Sequence, residues 1–147
     1  GRLDAGAVMI RGALTLIALP FLPMDAYDRL LWACDVNFVR GEDSFVRAQL
    51  AARPLIWQAY VQNDDAHLAK EGAFLDRYLG GLDAKKARAW RQLNECWNRQ
   101  LPAGPVWNEF AGGLDEASAH ARAWAGRLLA GNRVADKLAE FCLNRLK

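Results

Sequence analysis

Two short apolar runs, Val36–Val39 and Pro54–Tyr60, flank one amphipathic stretch, Glu42–Ala52, and this arrangement constrains the fold more than any other feature. Strands separated by a helix-length segment do not pair through a tight turn; they pair parallel, through a right-handed crossover. The pattern extends on both sides. Ala13–Leu19 (ALTLIAL) reads as an earlier strand, and Pro20 and Pro23 force a loop after it. Tyr27, Leu30, Leu31 and Cys34 recur at helical spacing behind Asp25, a candidate N-cap with Asp28 three residues on, as in a capping box. Asn63–Asp65 reads as a loop, and His67–Leu79 as a third helix closed by Gly80-Gly81. The order over residues 1–82 is βαβαβα, an α/β fold with a partial Rossmann-like parallel sheet of three strands.

After Tyr60 no strand pattern remains. Trp90, Leu93, Trp97 and Leu101 share one helical face. Leu114, Ala117, Ala121, Trp124 and Leu128 share a second, and Val134, Leu138, Phe141 and Cys142 a third. Pro102–Pro105 (PAGP) reads as a turn and Gly131-Asn132 as a helix cap. Residues 83–147 are therefore expected to form about three helices belonging to the same domain. Three strands make a small sheet and the chain starts at Gly1, so it is read as a fragment with further strands upstream.

The 147 residues suit one domain, and an apolar content of 52% is enough for a core. A net charge of +2 argues against a dedicated nucleic-acid binder. No apolar run reaches the roughly 18–20 residues that span a bilayer, and Arg2, Asp4 and Arg11 interrupt any leader-like start. Cys34, Cys96 and Cys142 form no CxxC pair and sit among apolar residues, so buried free thiols and a reducing cytoplasm are expected.

The chemistry concentrates in Arg40-Gly41-Glu42-Asp43-Ser44, where a strand gives way to a helix. Ligands of parallel α/β sheets sit at the carboxyl ends of strands, and helix N-termini there attract phosphate. Gly41 permits a tight turn, Arg40 offers a planar fork of donors, and Ser44 adds a hydroxyl. The same residues also fit an ordinary helix start, because Glu42 and Asp43 stabilise the dipole. Neither a P-loop nor GxGxxG is present.

The segment Phe21–Gln62, FLPMDAYDRLLWACDVNFVRGEDSFVRAQLAARPLIWQAYVQ, resembles the signature region of the protein-arginine rhamnosyltransferases that modify elongation factor P. DAHLAKEGAFLDRYL continues the resemblance, which becomes general from about Asp83. It implies the carboxy-terminal, donor-binding part of a two-domain GT-B glycosyltransferase. Such enzymes transfer L-rhamnose from dTDP-β-L-rhamnose to an arginine of elongation factor P, inverting the anomeric centre without a metal or cofactor. By resemblance Phe21 and its loop meet the thymine base, Arg40 and Tyr60 hold the diphosphate, and Asp43 and Ser44 line the same pocket. Glu42 matches the family's functionally important glutamate. Met24 stands where the family has the base-reading glutamine, Leu50 where a tryptophan is common, and Val61 where a proline is. The proposed catalytic aspartate belongs to the amino-terminal GT-B domain, which lies outside this chain, so the isolated chain is expected to be inactive or nearly so.

His67 and His120 lack metal-site spacing, and both are expected at the surface or half-buried. Trp90, Trp97, Trp107 and Trp124 are expected in the core, and Lys85–Arg91 and Arg122–Arg127 on solvated helix faces. Three readings remain: the donor half of the transferase, a nucleotide- or partner-binding module without chemistry, and a structural α/β domain.

Overall fold

The computed structural model describes residues 3–62, 64–131 and 134–145. Two strands, β1 (Val8–Arg11) and β2 (Leu14–Ile17), are followed by α1 (Met24–Ala33), β3 (Asn37–Arg40), α2 (Glu42–Leu50) and β4 (Leu55–Gln58). Among the described residues five helices follow: α3 (Ala66–Tyr78), α4 (Ala84–Asn98), α5 (Gly104–Ala111), α6 (Leu114–Gly131) and α7 (Val134–Arg145). The expected strand–helix–strand unit is present. β3 and β4 pair in parallel with Asn37 opposite Leu55 and Arg40 opposite Gln58, and α2 is their crossover. The architecture is α/β, a parallel strand pair followed by helices.

The three-stranded parallel sheet needs correction. β2 pairs antiparallel with β1, and the two form a separate hairpin. Gly12, at φ +58°, lets the chain reverse over two residues, so the backbone groups of β2 meet β1 rather than β3. Among the described residues four helices follow residue 83 rather than about three, because the PAGP segment opens α5, with Gly104 and Pro105 in its first turn. Asn63 and Asn132 lie outside the described residues.

The capping box before α1 also needs correction. The helix begins at Met24 behind Pro23, with no side-chain cap. Asp25 instead pairs with Arg29 and Asp28 with Arg47. A side-chain cap does open α4, where the Asp83 carboxylate accepts from the Lys85 and Lys86 amides.

α4 closes the outer edge of β4 with a stripe of side chains at helical spacing. The Trp90 indole donates to the Leu55 carbonyl at 2.9 Å. The Asn94 carbonyl oxygen accepts the Trp57 amide at 3.0 Å, and the Asn98 amide donates to the Trp57 carbonyl at 2.8 Å. Helical side chains thus satisfy backbone groups that a further strand would otherwise pair. The core joins both halves of the chain: Leu55, Ile56, Leu75, Tyr78, Trp90, Leu93 and Phe110 belong to one cluster.

Three expectations about single residues change. Trp90 is buried and Trp124 half-buried, but Trp97 and Trp107 remain 42% and 39% exposed, the first edge-on and the second tilted against Phe38. Cys34 and Cys96 are half-buried and Cys142 is exposed, so the thiols are free but not core residues. His67 is buried, its Nδ1 accepting the Gln62 amide; His120 is half-buried, as expected.

Candidate functional site

β3 and β4 end side by side, and the turn that leaves β3 is built against the chain that leaves β4. The Gly41 amide donates to the Gln58 carbonyl at 3.1 Å, which carries the ladder one residue past β3. Gly41 then takes φ +77°, a conformation that favours glycine, and α2 starts at Glu42. Tyr60 lies over this turn. A β-carbon on Gly41 would sit 2.7 Å from the tyrosine hydroxyl, so the close approach also requires glycine. The Arg40 guanidinium lies 5.3 Å from the centroid of the Tyr60 ring, and both side chains face solvent.

α2 has no side-chain cap. Its first turn therefore offers backbone N–H groups beside Arg40 and Tyr60, the arrangement that holds anions at helix N-termini. Glu42 and Asp43 occupy that turn, both exposed. Asp43 turns back along the helix to Arg47, whose Nε donates to it at 3.0 Å. Arg47 also grips both oxygens of Asp28, at 3.0 and 2.9 Å, and so ties α1 to α2. Its hydrogen bonds to Asp28, then to Asp43, raise the Arg47 pKa above its ordinary value.

A cleft of about 440 Å³ runs between the loop after β2 and the start of α2. Leu19, Phe21, Leu22, Met24 and Tyr27 make an apolar wall, and Asp43 and Ser44 a polar end. Phe21 is fully exposed, an aromatic face with nothing packed on it among the described residues. Phe21, Met24, Asp43 and Ser44 thus come together in the cleft, while Arg40 and Tyr60 come together at the strand ends. Glu42 opens the helix between them and does not line the cleft.

Several residues that shape the site carry no local sequence signal. Trp57 is buried, and its indole donates to the Gly41 carbonyl at 2.9 Å. Asp28 and Arg47 stand far apart in sequence. Only the Asp43–Arg47 pair, at i and i+4, was readable in advance. Among the described residues no group of three His, Cys, Asp or Glu side chains could hold a metal ion, and no helix is long and apolar enough to cross a membrane.

A family model described as "Elongation-Factor P (EF-P) rhamnosyltransferase EarP" matches residues 1–143. The chain belongs to this family. It is 44% identical over 146 residues to the protein-arginine rhamnosyltransferase of Pseudomonas putida, covering 99% of this chain and 39% of that protein. The Pseudomonas aeruginosa protein-arginine rhamnosyltransferase is 44% identical over 139 residues, with coverages of 95% and 37%. A solved structure described as "Structural basis for EarP-mediated arginine glycosylation of translation elongation factor EF-P" superposes with a TM-score of 0.84 at 42% identity. It covers 98% of this chain and 45% of that one. The chain therefore spans about two fifths of the length of the curated EarP relatives it matches.

Proposed function

We propose that this chain is the donor-binding part of an inverting GT-B glycosyltransferase that moves L-rhamnose from dTDP-β-L-rhamnose to an arginine of translation elongation factor P in the cytoplasm. Residues 1–82 supply the nucleotide-sugar site and residues 83–147 the helical remainder of the same domain; the amino-terminal domain supplies the other wall. The single observation that carries the reading is the convergence of Arg40, Tyr60 and the uncapped start of α2 on one edge of a parallel strand pair, beside the Phe21 cleft.

The roles follow from chemistry. Phe21 and Met24 take the base against their apolar surface, and Asp43 and Ser44 bind polar groups at the far end of the cleft. Arg40, the Tyr60 hydroxyl and the α2 amides hold the diphosphate and stabilise it as it leaves, so no metal or cofactor is required. Attack by a guanidine nitrogen forms the N–C1 bond as the C1–O bond to the diphosphate breaks, and one guanidinium proton passes to a carboxylate. An arginine with a pKa above about 12 needs that help, and Glu42 is the carboxylate of this chain proposed to orient or deprotonate it.

A second reading rests on Met24. Its thioether cannot make the paired donor and acceptor bonds of a glutamine amide, which favours a nucleotide- or partner-binding module without chemistry of its own. Glu42→Gln in a full-length family member with the same residue separates the two. Arginine rhamnosylation of elongation factor P, followed by intact mass, is expected to collapse with the fold retained. Near-normal turnover would remove Glu42 from the mechanism.

A further inference from the structure

The Gly41 carbonyl is held from outside its own turn. We infer that Trp57 is a positioning residue for the diphosphate-binding turn: its indole N–H fixes the Gly41 carbonyl and so aims Arg40 and the first amides of α2. This deepens the donor-site reading and depends on it.

Trp57 is buried, third in β4, and its Nε1 donates to the Gly41 oxygen at 2.9 Å. Gly41 is itself buried and supplies the φ +77° on which the direction of α2 depends. The Gly41 carbonyl shares its peptide plane with the Glu42 amide, the first N–H of α2, so locking the carbonyl aims that N–H, while the preceding peptide plane is held by the Gly41 amide on Gln58. Trp57 is immobilised in turn. Asn94 takes its backbone N–H, Asn98 donates to its carbonyl, and its ring stacks on Phe45 at 4.0 Å between centroids. Phe45 lies in the first half of α2, so the same indole supports the helix as well as the turn. The chain of contacts runs from α4 through Trp57 to the residues that face the ligand.

Trp90 provides a matched control. Its indole also donates to a backbone carbonyl, that of Leu55, at the same 2.9 Å, and it is equally enclosed, but it sits at the far end of β4. The test compares Trp57→Phe and Trp90→Phe by NMR titration with dTDP and with thymidine, alongside thermal melts. Both variants are expected to melt earlier. Trp57→Phe is expected to bind dTDP about tenfold more weakly with thymidine binding unchanged, the size expected from loss of one buried hydrogen bond. Trp90→Phe is expected to bind both as the unsubstituted chain does. Equal dTDP affinity in Trp57→Phe, or equal losses in both variants, would overturn the inference. If Trp57→Phe does not fold, the isosteric benzothienylalanine, which keeps the ring and lacks the N–H, replaces it at position 57 with the same two outcomes. Absence of dTDP binding by the unsubstituted chain would instead overturn the donor-site reading beneath it.

Discussion

Tyr60 leaves no room for a side chain at position 41: a β-carbon there would lie 2.7 Å from the tyrosine hydroxyl and 2.9 Å from the ring carbon that bears it. Gly41→Ala therefore incurs two separable penalties. At φ +77° and ψ −172°, a region almost confined to glycine, a side chain costs about 1–3 kcal/mol, and the methyl pushes Tyr60 off the turn. Because Tyr60 is exposed, it can swing away, so the second penalty falls on the ligand site rather than on the fold. Gly41→Ala is expected to lower stability by about 1–3 kcal/mol and to abolish dTDP binding. Adding Tyr60→Ala relieves the clash without recovering the φ penalty, so the double variant is expected to unfold at the same denaturant midpoint as Gly41→Ala; a higher midpoint would mean that the clash also strains the fold.

Met24 lines the cleft where a thymine-reading amide would be useful. Met24→Gln supplies one donor and one acceptor at nearly the same volume. The affinity for dTDP is expected to rise about two- to tenfold, the range for one or two net hydrogen bonds, while that for dCDP changes less. Competition titrations of the two nucleotides read the ratio directly.

Arg47 joins α1 to α2 through Asp28 and holds Asp43 through its Nε. A lysine keeps the charge but not the planar fork. Arg47→Lys is expected to lower the melting temperature and to loosen Asp43 from its rotamer. Asp43→Asn, which leaves the Asp28 contact intact, is expected to change the melting temperature less. Melting curves of the two variants, with Asp28→Asn as the reciprocal partner, test that order.

Glu71 is 3% exposed on α3, facing Asn98 with Glu95 and Arg91 of α4 and Arg99 just beyond it, and one of its oxygens has no hydrogen-bond partner among the described residues. Burial first, then Glu95, push its pKa up to about 7 from 4.5. The folded state thus holds this proton more tightly than the unfolded chain. Its contribution to stability is complete below about pH 4.5 and is lost as pH rises through about 7. Glu71→Gln is expected to remove that fall, so urea midpoints measured from pH 5 to 8 decline in the parent and flatten in the variant. The same slope in both would mean that another group is responsible.

Much of the site was legible because it is local. The β3–α2–β4 unit follows from apolar runs and one helical period, and Arg40 through Ser44 sit at the strand-to-helix junction where that unit must place them. What was not legible depends on residues distant in sequence. Nothing in VMIRGALTLI says whether Leu14–Ile17 pairs with the segment before it or with β3; that is a competition between partners, decided by the Gly12 reversal. Trp97 and Trp107 carry a core-like period but lie at the open flank beside Phe38, where period alone cannot report depth. The Trp57–Gly41 bond and the Asn94 and Asn98 bonds to β4 join side chains to backbone across many residues and leave no motif.

Arg40, Tyr60 and the start of α2 are proposed to form a diphosphate site beside the Phe21 cleft. Titrating this chain with dTDP by NMR, with Arg40→Ala as control, tests it most directly. Saturable shifts centred on Phe21, Arg40–Ser44 and Tyr60, lost in the control, are the predicted result. No shifts at millimolar nucleotide, or shifts that survive in Arg40→Ala, would contradict it.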